Sequence, residues 1–154
     1  MAIAALITWV LTALGGFYML GTWISRGGAR GGSSRLPAPV IFGHFALAAI
    51  GLIVWIAYVI ADSDALAWTA FILLVPVALL GFTMLFRWLG ARRATVGTQV
   101  GGAGPASAKE SAQESTQGSA APEQPFPVAV VAGHGLLAVT TVVLVLLTAL
   151  GIGG

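Results

Sequence analysis

Pro37 to Trp68 reads PAPVIFGHFALAAIGLIVWIAYVIADSDALAW. From Ala38 to Ala61 it holds no Asp, Glu, Lys or Arg, and a helix of that length covers the roughly 30 Å of a bilayer's hydrocarbon at about 1.5 Å per residue. The acidic turn Asp62-Ser63-Asp64 then breaks the run before a second apolar stretch opens at Ala65-Leu66-Ala67-Trp68. Such a tight connection makes the two spans antiparallel neighbours. Asp64 is read as the N-cap of the following helix; a metal site at Asp62 and Asp64 is the alternative to this cap-and-turn reading.

Working outward, the same character recurs over 2–23, 66–93 and 127–154, so the chain is read as an all-α integral membrane protein with four transmembrane helices, the second over 38–61 and a short turn at 62–65. Composition agrees: 58% hydrophobic and 8% charged residues, with a mean hydropathy of +0.96, leave too little polar surface for a water-soluble particle. The first span has no basic n-region and is too long for a signal-peptide core, so it is expected to be retained. Its 154 residues include no cysteine, which excludes disulfides, thiolate metal sites and cysteine nucleophiles. The seven Lys and Arg flank apolar runs and form no stripe, which sets nucleic acid aside as a partner.

Those seven basic residues are Arg26, Arg30 and Arg35 between spans one and two, and Arg87, Arg92, Arg93 and Lys109 around the connection between spans three and four. The positive-inside rule makes both connections cytoplasmic and both termini external. Trp23 and Trp88 are then expected at the inner interface and Trp68 at the outer one. The connection over 94–126, which up to Gln124 is rich in Gly, Ala, Ser and Gln with no aromatic residue and almost no large aliphatic ones, is expected to be disordered. Arg in preference to Lys, with abundant Ala, Gly and Val, suits a bacterial plasma membrane as the expected location. The glycines at 27–28 and 31–32 lack a Walker lysine and are read as a connector.

The two halves of the chain repeat each other. Gly16-Phe17-Tyr18-Met19-Leu20-Gly21-Thr22-Trp23 matches Gly81-Phe82-Thr83-Met84-Leu85-Phe86-Arg87-Trp88, and Pro37-Ala38-Pro39-Val40-Ile41-Phe42-Gly43-His44 matches Pro127-Val128-Ala129-Val130-Val131-Ala132-Gly133-His134. Two ordered blocks predict a bundle built from two tandem, same-orientation helical hairpins, related by a pseudo-twofold axis along the membrane normal. The prolines are expected in the first turns of the even helices.

His44 and His134 are the only histidines, and the repeat puts them at equal depth. Ionisable side chains at such depth turn inward and usually have a partner. One reading is axial ligation of a single b-type haem by both imidazoles. Gly43 and Gly133 would then give clearance for the macrocycle, and Arg30, Arg35, Arg92 or Arg93 would meet its propionates. Another is that each imidazole hydrogen-bonds a neighbouring helix, duplicated because the hairpin was duplicated. A third adds Met19 and Met84 to the histidines as ligands of Cu(I), although methionine, like Phe17, Phe82, Trp9 and Trp55, is more simply packing.

In its four spans and histidine pair the chain resembles small four-helix membrane cytochromes b and the haem-bearing anchors of respiratory enzymes. That resemblance implies single-electron transfer, with a quinol or another membrane complex as partner. The spans carry no Asp or Glu, and neither Gly-x-Ser-x-Gly nor His-Glu-x-x-His occurs, so hydrolysis and carboxylate-driven proton transport are not expected. A non-catalytic subunit or assembly factor of a larger membrane complex is the alternative function.

Overall fold

The computed structural model describes residues 1–30, 34, 36–101, 122 and 126–152, with backbone alone over 94–101. Among them there is no strand. The elements are α1 (Ala2–Ser25), a 3-10 turn (Gly28–Arg30), α2 (Ala38–Ala61), α3 (Asp64–Gly101) and α4 (Val128–Ala149). Four helical stretches, Ala2–Ser25, Ala38–Ala61, Asp64–Arg93 and Val128–Ala149, are long and apolar enough to cross a membrane.

Local chemistry accounts for most helix ends. Pro37 and Pro127 hold φ near −66° and −59° at the N-cap positions of α2 and α4. Each carbonyl accepts from the amides three and four residues on, at 3.0 and 3.2 Å in both helices. The prolines therefore stand just before the first turn, one place earlier than expected, where the fixed φ suits an extended cap. Asp62 closes α2 in the left-handed conformation, φ 49° and ψ 45°, with its N–H donating to the Tyr58 carbonyl at 2.8 Å. The Ser63 carbonyl accepts from Leu66 and Ala67. Ser63, not Asp64, thus occupies the N-cap position of α3, and Asp64 enters the first turn, where a carboxylate meets the positive end of the helix.

α3 departs most from expectation. It runs on to Gly101, so the first eight residues of the connection expected to be disordered are helical. Hydropathy falls after Leu89, but Ala91, Arg92, Arg93 and Ala94 are good helix formers and no proline follows until Pro105. Pro122 and Phe126, at the far end of the same connection, are buried. Its remainder, 102–121 and 123–125, lies outside the described residues, as does Lys109.

The four helices form a ring in which α1 packs chiefly on α4 and α2 on α3, with lighter α3–α4 and α1–α2 contacts. The closest packing thus runs between the two sequence hairpins. The two residues joining α2 to α3 force those helices together, while the twelve-residue connection from Arg26 to Pro37 makes no such demand. Buried positions fall in repeat-equivalent pairs: Ala5 with Ala70, Trp9 with Leu74, Trp55 with Val145, Trp23 with Trp88, and Leu36 with Phe126. One cluster holds Ala5, Trp9, Trp55, Ala67, Ala70, Leu74 and Val145; a second, at the arginine-bearing end, holds Trp23, Leu36, Trp88 and Phe126.

Small residues at the first cluster let the backbones approach, and Trp9 Cζ2 and Cη2 fill the space a side chain on Gly51 would take. Trp23 and Trp88 are 1% and 5% exposed, so both indoles are enclosed by the chain at the arginine-bearing end. The Trp23 indole is covered by Gly28 and donates from Nε1 to the Ser34 hydroxyl at 2.9 Å, so a folded-back connection satisfies it. Trp68, at 40% exposure, does face outward. Outward faces are mostly apolar, as in the α3 stripe Trp68, Ile72, Val75, Leu79, Phe82 and Phe86, with Thr69 and Thr83 exposed beside it and bonded to their own helix.

Candidate functional site

His44 and His134 lie between the two clusters. Along α3 the order is Leu74 in the first cluster, Val77 and Gly81 against His44, then Met84 packed on the second cluster. Along α1 it is Trp9, then Thr12 and Gly16 against His134, then Met19. Both imidazoles are partly buried, with ring centroids 6.4 Å apart and planes inclined by 55°. The helices carrying them, α2 and α4, stand diagonally in the ring, so the rings meet across the bundle interior.

Each ring is fixed in the same way. His44 Nδ1 lies 2.9 Å from the Val77 carbonyl oxygen, and His134 Nδ1 lies 2.9 Å from that of Thr12. A carbonyl only accepts, so Nδ1 donates its proton in both rings and Nε2 keeps the lone pair. Neither Nε2 has a hydrogen-bond partner among the described residues. An Nδ1–H committed to a backbone oxygen fixes the tautomer and the ring's direction and leaves the Nε2 lone pair available to a ligand. It also pins α2 to α3 and α4 to α1, which is the packing role weighed for the same pair.

The donor set limits what the pair can hold. Among the described residues no group of three or more His, Cys, Asp and Glu side chains converges on a point. Only a group that brings most of its own metal ligands would be held by these two imidazoles alone. A metal between two nitrogens at about 2.0–2.1 Å each separates imidazole centroids by about 6 Å when the three atoms are in line. The observed 6.4 Å is compatible with that span.

Met19 and Met84 pack against the tryptophan cluster about one helical turn beyond Gly16 and Gly81. Nothing lies within 4 Å of where side chains on Gly43 and Gly133 would stand, so both border open space. Arg30 is exposed in the 3-10 turn, and Arg92 and Arg93 are exposed on α3. The Arg92 guanidinium carbon sits 4.9 Å from the centre of the Trp88 ring. At 1.5 Å per residue Arg92 stands about 16 Å along the axis from Gly81, while Arg87 stands about 9 Å from it. Arg87 is thus the basic residue of α3 nearest in depth to the imidazoles. Arg35 lies outside the described residues.

Two features of the site escaped sequence reasoning. The first is the set of glycines that touch the rings. A Cβ on Gly16 would meet His134 Cε1 at 3.3 Å, one on Gly81 would meet His44 Cε1 at 3.3 Å, and one on Gly15 would meet His134 Nδ1 at 3.5 Å. Gly16 and Gly81 open the matched blocks, so their importance was visible, but which histidine each faces was not. The second is a run of hydroxyls on one side only. Thr141 Oγ1 lies 3.0 Å from Thr8 Oγ1 and 2.8 Å from the Leu137 carbonyl, which share its single proton, and Thr12 donates to the Thr8 carbonyl at 2.7 Å. The repeat-equivalent positions are Gly51, Leu73 and Val77, which offer no side-chain hydroxyl. The halves match in the contacts of their imidazoles and differ in polarity. No family model matches this chain, and no curated protein or solved structure does.

Proposed function

We propose that the protein is a four-span membrane protein that holds one b-type haem between His44 and His134 and passes single electrons. The observation carrying this reading is the repeat-equivalent imidazole pair, 6.4 Å apart, with both Nδ1 atoms committed to carbonyls and both Nε2 atoms unpaired among the described residues. The haem supplies the one-electron chemistry. The chain's own part is to orient two neutral imidazoles, to surround them with apolar side chains, and to offer arginines at one end of the bundle for the propionates. A quinol or a neighbouring membrane complex is the electron partner in this reading.

Purified protein in mild detergent then shows a Soret band and a low-spin reduced-minus-oxidised spectrum, either as isolated or after haem addition. Absence of both overturns the proposal. His44→Ala and His134→Ala each abolish the low-spin spectrum; retention in either variant rules out ligation by both histidines.

The proposal places the arginine-bearing end in the cytoplasm of a bacterial cell and both termini outside. Having no cysteine, the chain accepts single reporters. Ser63→Cys is labelled by an impermeant maleimide added to intact cells and Ser25→Cys is not, whereas the reverse pattern inverts the orientation.

A second reading is favoured by the same Nδ1 bonds, which hold α2 to α3 and α4 to α1 without any ligand. The chain is then a non-catalytic subunit of a larger membrane complex. It shows no Soret band and co-purifies with that complex, and isolation as a free haem-binding protein refutes this version.

A further inference from the structure

The contacts between glycines and histidines are crossed. Gly16 belongs to the first copy of the repeat and meets His134 of the second; Gly81 belongs to the second and meets His44 of the first. The distances agree in both places: a Cβ on either glycine would stand 3.3 Å from Cε1 and 3.8 Å from Nδ1 of the facing ring. In each case the carbonyl that accepts from Nδ1 lies four residues earlier on the same helix, Thr12 before Gly16 and Val77 before Gly81. A carbonyl and, one turn on, a bare stretch of backbone together make a seat for the ring.

We infer that Gly16 and Gly81 are positioning residues, Gly16 setting the orientation of the His134 imidazole and Gly81 that of His44. As an account of ligand placement this rests on the haem reading; as an account of the rings themselves it does not. At 3.3 Å a Cβ is close enough that the ring has to give by a few tenths of an ångström. Nδ1 is tethered to a carbonyl at 2.9 Å, so the ring yields by turning about that tether, and turning swings Nε2 away from its direction. Glycine is among the poorest helix formers, and here the atoms it makes room for belong to the imidazole, not to a neighbouring backbone.

The test uses full-length protein with isotope-labelled histidine in detergent micelles, with no haem added. Gly16→Ala shifts the ring resonances of His134 more than those of His44, Gly81→Ala does the converse, and Gly21→Ala, whose Cβ would meet nothing within 4 Å, shifts neither. Unmoved rings, or the larger shift at the histidine of the same repeat copy (His44 for Gly16→Ala, His134 for Gly81→Ala), overturn the inference. A double-mutant cycle covers the case of a poorly folding variant: the destabilisation by Gly16→Ala is relieved in a His134→Ala background, where only the gain in helix propensity is left, and an effect of the same size in both backgrounds counts against the seat. In protein that binds haem, either glycine substitution weakens haem binding about 10-fold, as loss of an orienting contact does. Failure of the wild type to bind haem defeats the proposed function and leaves the crossed shift pattern to be judged by itself.

Discussion

At the scale of single residues, buried polar atoms find partners inside the bundle. Thr141 is 2% exposed, and its hydroxyl reaches both its own helix and Thr8 across the α1–α4 contact. Interhelical hydrogen bonds in membrane bundles contribute on the order of 0.6 kcal/mol. Thr141→Val, which keeps the shape and removes the hydroxyl, therefore lowers stability in detergent by about 0.5–1 kcal/mol, read from unfolding in graded denaturing detergent. No change would mean that the Thr8 hydroxyl is satisfied by its bond to the Ala5 carbonyl alone. Trp55 makes a larger demand. It is fully buried, its Nε1 donates to the Ala2 carbonyl at 3.2 Å, and Tyr58 stacks beside it at 4.7 Å. Trp55→Ala leaves a cavity and costs about 3–5 kcal/mol, and the same unfolding assay measures it.

At the scale of elements, caps and turns decide where helices stop. Asp62 is the only non-glycine residue with positive φ among the described residues. Aspartate tolerates this conformation through local hydrogen bonding, and a β-branched residue does not. Asp62→Val is expected to destabilise by about 1–2 kcal/mol, and Asp62→Gly to be neutral or slightly stabilising; equal loss in both would assign the effect to the carboxylate. Gly28 is constrained by packing, because a side chain there would overlap the Trp23 indole. Gly28→Ala displaces the indole and opens its bond to Ser34, which a shift in tryptophan fluorescence reports. The extension of α3 to Gly101 belongs to this scale too, since it follows from helix propensity and not from the apolar pattern that ends at Leu89.

At the scale of the whole molecule, α4 is held by its contact with α1 and by the His134–Thr12 bond, with no need of the connection that precedes it. Two fragments, 1–101 and 122–154, co-expressed in one membrane should therefore associate and co-purify. Separation of the fragments would show that the intervening residues, and not the packing, hold α4 in place.

The count of helices, their approximate ends, the acidic turn and the equal depth of the histidines were all legible in the linear chain. They depend on the period and length of apolar runs and on two repeated blocks, which are properties of neighbours in sequence. Partner choice was legible in that way only for α2 and α3, which the acidic turn joins. The repeat marks α1–α2 and α3–α4 as sequence hairpins without saying that α1 packs most closely on α4; it does not show that Trp23 and Trp88 are enclosed by the chain, or that Gly16 and Gly81 each touch the histidine of the other copy. Each of these depends on contact between residues far apart along the chain. Such contacts are settled by which small residues let two helices approach and by which carbonyls remain in reach of a ring once they have, and both exist only after the bundle has closed.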